Sequence, residues 1–126
     1  MRILVVDDEV VVREVTKRAL EIFGYEVVTA EDGRKALDLL NAEASDFAAV
    51  VTDYDMPNIS GPDLLKQIRN QWPNLRVICI TGNDPDEVKR CQQRLPESAP
   101  RFDEVLAKPI GLRTLEKVIN RILGKA

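Results

Sequence analysis

Carboxylates at the ends of apolar runs are the groups in this chain best placed to do chemistry. Ile3-Leu4-Val5-Val6 leads into Asp7-Asp8, and Phe47-Ala48-Ala49-Val50-Val51-Thr52 leads into Asp53, with Asp55 two residues further on. An apolar strand that ends in an acid delivers charge to the carboxyl edge of an open α/β sheet, where such folds bind their ligands. Crowded carboxylates repel unless a proton or a hard, oxygen-seeking cation offsets them, so the pattern predicts a divalent metal site. Two more strand-like runs end in useful groups, one at Thr81 and one at Lys108-Pro109. Singly these are weak signals, because an acid after a strand is often only a helix cap. Together they describe one chemistry. Carboxylates hold Mg2+, a free carboxylate can attack phosphorus, an ammonium beside the metal stabilises charge on transferring oxygens, and a hydroxyl can bond a phosphoryl oxygen. That chemistry is phosphoryl transfer to an aspartate.

The elements that must position these groups are short Val/Ile/Leu-rich runs alternating with longer segments of helical period, five of each, which predicts an α/β fold built from βα units around a parallel sheet. Strands are expected at Ile3–Val6, Glu26–Thr29, Ala48–Thr52, Val77–Ile80 and Glu104–Ala107. The first, third and fourth are apolar throughout, as strands covered on both faces should be, and the mixed second strand belongs nearer an edge. A flavodoxin-like, doubly wound (βα)5 sheet of order 2-1-3-4-5 puts the first and third strands at the topological switch point, where Asp7, Asp8 and Asp53 converge. Val12, Val15, Ala19 and Ile22 mark the buried face of the first helix, which Gly24 stops. Ala36, Leu37 and Leu40 mark the second; Leu64, Leu65 and Ile68 mark the third, closed by Trp72-Pro73 with Trp72 as a packing anchor. Asp84-Pro85-Asp86-Glu87 opens a fourth helix whose apolar face, Val88, Cys91 and Leu95, is thin. The fifth turns Leu112, Leu115, Val118, Ile119 and Ile122 to the core and carries a basic stripe of Arg113, Lys117, Arg121 and Lys125, read as a solvated face in preference to an acidic partner's dock. Leu95 to Arg101 is an extended loop.

Composition narrows the function further. The 126 residues, 44% hydrophobic and 31% charged, suit a single domain over 1–126. A net charge of -3 with interleaved signs argues against direct nucleic-acid or membrane binding. No apolar run approaches a bilayer span or a signal-peptide core, so a cytoplasmic location is expected. Cys79 and Cys91 lack any CxxC or metal-like spacing and read as ordinary packing residues. The chain contains no histidine, which removes Ser-His-Asp hydrolysis, His-ligated zinc and imidazole acid–base chemistry. Any histidine in the reaction belongs to a partner.

Asp7-Asp8-Glu9, the run Asp53-Tyr54-Asp55-Met56-Pro57-Asn58-Ile59-Ser60-Gly61, Thr81 and Lys108-Pro109 resemble, over essentially the whole chain, the receiver domain of bacterial two-component response regulators, of the single-domain, CheY-like kind. The resemblance implies that Asp53 accepts a phosphoryl group from a phosphohistidine on a sensor histidine kinase or a histidine phosphotransfer protein. It further implies that Asp8 and Asp53 bind Mg2+ directly, Asp7 mainly through water, and Asp55 by its backbone carbonyl. Lys108 would pair with Asp53 and then with the phosphoryl group. Thr81 would turn toward that group and couple it to the face formed by the fourth helix, fifth strand and fifth helix. The Lys108-Pro109 bond is often cis in the family. Such a protein is a switch or relay intermediate that catalyses its own phosphorylation and dephosphorylation, not a conventional enzyme. Its output passes through a downstream protein, and a receiver without an output domain is expected.

Two departures from the family pattern fall on the output side. The position three before the lysine, usually aromatic, is Val105, with Phe102 nearby in another register, and the stretch from Thr81 to Lys108 is longer than usual. Two other classes share part of this pattern. Asp53-Tyr54-Asp55 has the DxD spacing of aspartate-nucleophile phosphatases, but there the motif follows the first strand and the acidic pair comes late. A binding module that has lost phosphorylation predicts missing site residues, and all are present.

Overall fold

The computed structural model describes residues 2–124. Five parallel strands, β1 (Arg2–Val6), β2 (Glu26–Ala30), β3 (Phe47–Asp53), β4 (Arg76–Thr81) and β5 (Glu104–Ala107), form one sheet of order β2-β1-β3-β4-β5. The expected flavodoxin-like order and all five expected strands are present, each within two residues of its expected bounds. β1, β3 and β4 are buried along nearly their whole length, whereas β2 at the edge is half-buried. Between the strands run α1 (Val10–Ile22), α2 (Gly33–Glu43), α3 (Gly61–Gln71), α4 (Pro85–Gln93) and α5 (Leu112–Ile122).

The sheet separates two cores. On one face Leu4, Val50, Val77, Leu40, Leu64 and Ile68 pack together; on the other Ile3, Val5, Ile78, Leu20, Leu115 and Ile119 do. Alternate residues of each strand thus feed opposite layers, and each fully buried Leu or Ile contributes roughly 1.5–3 kcal/mol.

Local signals account for the helix ends. Ser60 accepts the Asp63 N–H at the start of α3, and Asp84 accepts the Asp86 N–H at the start of α4, each with proline in the first turn. Trp72 caps α3 and packs against the first core. Gly24, at φ +94°, stops α1 by adopting the left-handed conformation that glycine tolerates. The Lys108–Pro109 peptide is cis.

Several side chains expected inside lie outside. Val15, Ile22 and Leu112 are 62%, 68% and 54% exposed. α1 buries the expected Ala19 together with Thr16 and Leu20, and Val12 is half-buried. A threonine can take a core position because its hydroxyl donates to the Val12 carbonyl at 2.8 Å, which satisfies its polar atom within the helix. Cys91 is exposed and does not pack, in contrast to buried Cys79. The thin face of α4 reduces to one buried residue, Val88. Arg113, Lys117 and Arg121 are exposed, with Arg121 also paired to Glu104 at 2.7 Å; Lys125 lies outside the described residues.

Candidate functional site

Strand register brings the site together. Val6 pairs with Thr52, so Asp7 and Asp53 follow on neighbouring strands. Asp53 pairs with Ile80, which Thr81 follows, and Thr81 pairs with Ala107, which Lys108 follows. Parallel strands in this register end at the same edge, so four chain segments converge there, and the long Lys108 side chain crosses from the end of β5 to the acids of β1 and β3. The turn after β3 is tight: a Cβ on Gly61 would lie 2.6 Å from the Asp53 carbonyl oxygen and 2.9 Å from Tyr54 Cα. Glycine at this position lets α3 start directly under the site.

Lys108 is the cationic centre. Its Nζ lies 3.1 Å from Asp53 Oδ1, 3.3 Å from Asp7 Oδ2 and 3.4 Å from Glu9 Oε1. Asp7 and Asp53 are almost fully buried, while Asp8 and Glu9 are exposed at the rim. Ligand oxygens of Asp7, Asp8, Glu9 and Asp53 all lie within 4.8 Å of one another. One ammonium faces four carboxylates. Burial, reinforced by the charges of Asp7 and Asp8 and only partly offset by Lys108, pushes the Asp53 carboxyl up to about 6. Burial raises Asp7 in the same way, against the Glu9 N–H and Lys108. Burial works to lower the Lys108 ammonium, but hydrogen bonding to Asp53 and the charge of Asp7 raise it overall. The pocket is therefore a hard-oxygen donor set with excess negative charge, which fits a small divalent cation such as Mg2+.

Secondary contacts hold this set in place. The Glu9 N–H donates to Asp7 Oδ1 at 2.9 Å, and Arg13 donates to the Asp7 carbonyl at 2.8 Å. Thr81 is fully buried; its Oγ1 accepts the Asn83 N–H at 3.0 Å, which leaves its own proton free to donate. Asn83 Nδ2 donates to Asp55 Oδ2 at 3.2 Å, linking the loops after β3 and β4 across the mouth. Sequence reasoning missed two residues here. Glu9 adjoins the acidic pair, a signal that was available; Asn83 had none, because its partner is 28 positions away.

The sequence model of the response regulator receiver domain matches residues 3–120. The chain is 37% identical, over 99% of its length, to Response regulator MprA of Mycolicibacterium vanbaalenii, of which it spans 51%. It is 32% identical, over 98% of its length, to Two-component response regulator ORR3 of rice, Oryza sativa, of which it spans 91%. It thus corresponds to about half the length of the mycobacterial relative and nearly all of the plant one. The crystal structure of a response regulator receiver domain protein from Clostridium thermocellum superposes with a TM-score of 0.86 at 31% identity, covering 98% of this chain and 94% of that one. A sheet of order 2-1-3-4-5 with acids, a threonine and a lysine at its carboxyl edge is thus accompanied by sequence similarity along the whole chain, and the protein belongs to the response regulator receiver domains of two-component signal transduction.

Proposed function

We propose that residues 1–126 act as one receiver unit in which Asp53 takes a phosphoryl group from a phosphohistidine on a sensor histidine kinase or histidine phosphotransfer protein. The observation that carries this reading is Lys108 Nζ placed between Asp53 and Asp7, beside Asp8, at the ends of β1, β3 and β5. An Asp53 carboxylate oxygen attacks phosphorus, the P–N bond to the donor imidazole breaks as the O–P bond forms, and the imidazole nitrogen takes a proton. Asp8 and Asp53 would hold Mg2+ directly, Asp7 through water and Asp55 by its carbonyl. Bound there, the cation neutralises the carboxylates and withdraws charge from the transferring oxygens. Lys108 moves its pairing from Asp53 to the phosphoryl oxygens, and the Thr81 hydroxyl donates to one of them. The unit catalyses its own modification and does not turn over a small substrate. Its output is protein contact with a downstream target in the cytoplasm, without direct nucleic-acid or membrane binding; among the described residues no helix is long and apolar enough to cross a membrane.

The donor protein docks on the apolar rim between α1 and α5. Val11, Val15 and Leu112 are exposed there, and with Pro109 and Ile110 they line a cavity of about 380 Å³ that includes Lys108. Isolated exposed apolar residues are ordinary, but a contiguous patch beside a reactive group marks an interaction site. A donor whose phosphohistidine reaches Asp53 must cover this rim.

The test is intact mass after incubation with a small phosphoramidate, with and without Mg2+, on wild type and Asp53→Asn. The expected result is one phosphoryl adduct that requires both metal and Asp53. An adduct of equal yield in Asp53→Asn would remove Asp53 from the role.

A further inference from the structure

The residue after Asp53 is aromatic, and it touches the part of the chain that departs from the family pattern. The Tyr54 N–H donates to the Ile80 carbonyl at 2.9 Å, and the Tyr54 carbonyl accepts the Gly61 N–H at 2.8 Å. Its backbone is therefore held by β4 and by the start of α3. Its ring meets that of Phe102 with centroids 6.5 Å apart and planes at 54°, a tilted arrangement that aromatic pairs favour. Phe102 is buried, and its N–H donates to Gln92 Oε1, at the end of α4, at 2.8 Å.

That bond has unusual weight in α4. The helix offers the core only Val88, so its seat on β5 depends otherwise on Gln92–Phe102 and on the Lys89–Glu104 ion pair at 3.1 Å. The segment leading to Phe102 is in turn stiffened. The Arg101 guanidinium donates to the carbonyls of Leu95, Pro96, Glu97 and Ala99, and Asp103 accepts from Arg69 of α3 and from the Val77 N–H at the start of β4. Val105, in the usual aromatic position, is buried and has neither ring nor polar end with which to change partners. A path of one ring contact and one hydrogen bond thus leads from the residue beside Asp53 to a helix with little other attachment.

We propose that Phe102 and Gln92 are positioning residues that couple the occupancy of the Asp53 pocket to α4 and to residues 94–103, with Tyr54 as the contact that reports that occupancy. This rests on the functional reading above and adds to it the route by which the site's state reaches the surface. Coupling of this kind is reciprocal, so a substitution at Gln92 that shifts the balance between arrangements of α4 must also change affinity at the site.

The experiment titrates the full chain with Mg2+ alone and then with Mg2+ plus beryllofluoride, a phosphoryl mimic, while amide resonances are followed by NMR. In wild type, shifts are expected at the ends of β1, β3 and β4 and also through α4 and residues 94–103. In Gln92→Ala and Phe102→Leu the α4 and 94–103 shifts should fall by at least half. The beryllofluoride affinity should change by about fivefold, the lower end of ordinary coupling. Val105→Ala should retain the wild-type pattern. Gln92 is only partly buried, so its substitution tests the idea even if Phe102→Leu fails to fold. Wild-type affinity and unchanged α4 shifts in Gln92→Ala would overturn the coupling and leave the receiver chemistry standing. No response of any resonance to either probe in wild type would overturn the functional reading and the coupling with it.

Discussion

The two edges of the sheet treat the same side chain in opposite ways. At the amino edge Asp103 is one carboxylate with three donors: Arg69 at 2.8 Å, Arg76 at 3.3 Å and the Val77 N–H at 2.7 Å. At the carboxyl edge Asp7, Asp8, Glu9 and Asp53 crowd together, and Lys108 pairs with Asp7, Glu9 and Asp53. The first arrangement satisfies its charge and ties α3, β4 and the start of β5 together. The second leaves charge uncompensated in a buried place, a cost to the fold that accords with the cation and phosphoryl group of the proposed function. Satisfied and unsatisfied charge thus lie at opposite ends of the same strands.

Removing each acid should show this contrast directly. Asp103→Ala leaves Arg69 and the Val77 N–H without their shared partner in a part-buried setting and should cost about 3 kcal/mol in urea unfolding. Asp53→Asn should do the reverse in metal-free protein at neutral pH. The Asp53 carboxyl is raised to about 6 in the fold, so its ionised form is disfavoured there and its penalty is full above that pH. The gain on substitution should be about 2 kcal/mol, given 1.36 kcal/mol per unit and some loss of Lys108 pairing. It should shrink as the pH falls from 6 toward the ordinary aspartate value and be absent near pH 4. Mg2+ should then stabilise wild type and leave Asp53→Asn nearly unchanged, by mass action on the native state. A destabilised Asp53→Asn at pH 7 would break the comparison.

The rim sharpens it further. Val15→Glu should leave stability within about 0.5 kcal/mol, as for most surface changes, and leave phosphorylation by a small phosphoramidate intact. Transfer from a phosphorylated histidine phosphotransfer protein should slow about tenfold, consistent with loss of roughly 1.4 kcal/mol of docking. Equal slowing with both donors would place the defect in the site instead. The smallest effect is expected at Glu104. Burial pushes its carboxyl up, but the Val105 N–H, Lys89 and Arg121 outweigh this and hold it below the usual range. A depressed carboxyl adds stability above its unfolded value and loses it as the pH falls through its folded one. Glu104→Gln should therefore cost less than about 1 kcal/mol at neutral pH, and thermal unfolding should show the difference vanishing in acid.

Helix faces were harder to read than strands. The apolar runs of β1, β3 and β4 have one interpretation, because a strand covered on both sides tolerates nothing else. α1 offers valines around much of its circumference, at 10, 11, 12 and 15, so periodicity alone placed Ala19 correctly but also chose Val15 and Ile22, which are exposed. The buried Thr16 is polar by type and apolar in effect, since its hydroxyl is satisfied within the helix. Leu112 fits the fifth helix's stripe, yet it sits at that helix's first residue and is 54% exposed, whereas Leu115, Val118 and Ile119 are buried.

What the sequence by itself determined were the properties carried by short segments: five βα units, a parallel sheet, acids at the ends of β1 and β3, and the need for a partner to supply any histidine. Each follows from local periodicity or residue type, which the chain carries before it folds. The tertiary structure alone decided which groups meet. Lys108 reaches Glu9 across 99 positions, Asn83 bonds Asp55 across 28, and Phe102 meets Tyr54 and Gln92. Such pairings depend on strand order and register, which set distances between segments that no local pattern encodes.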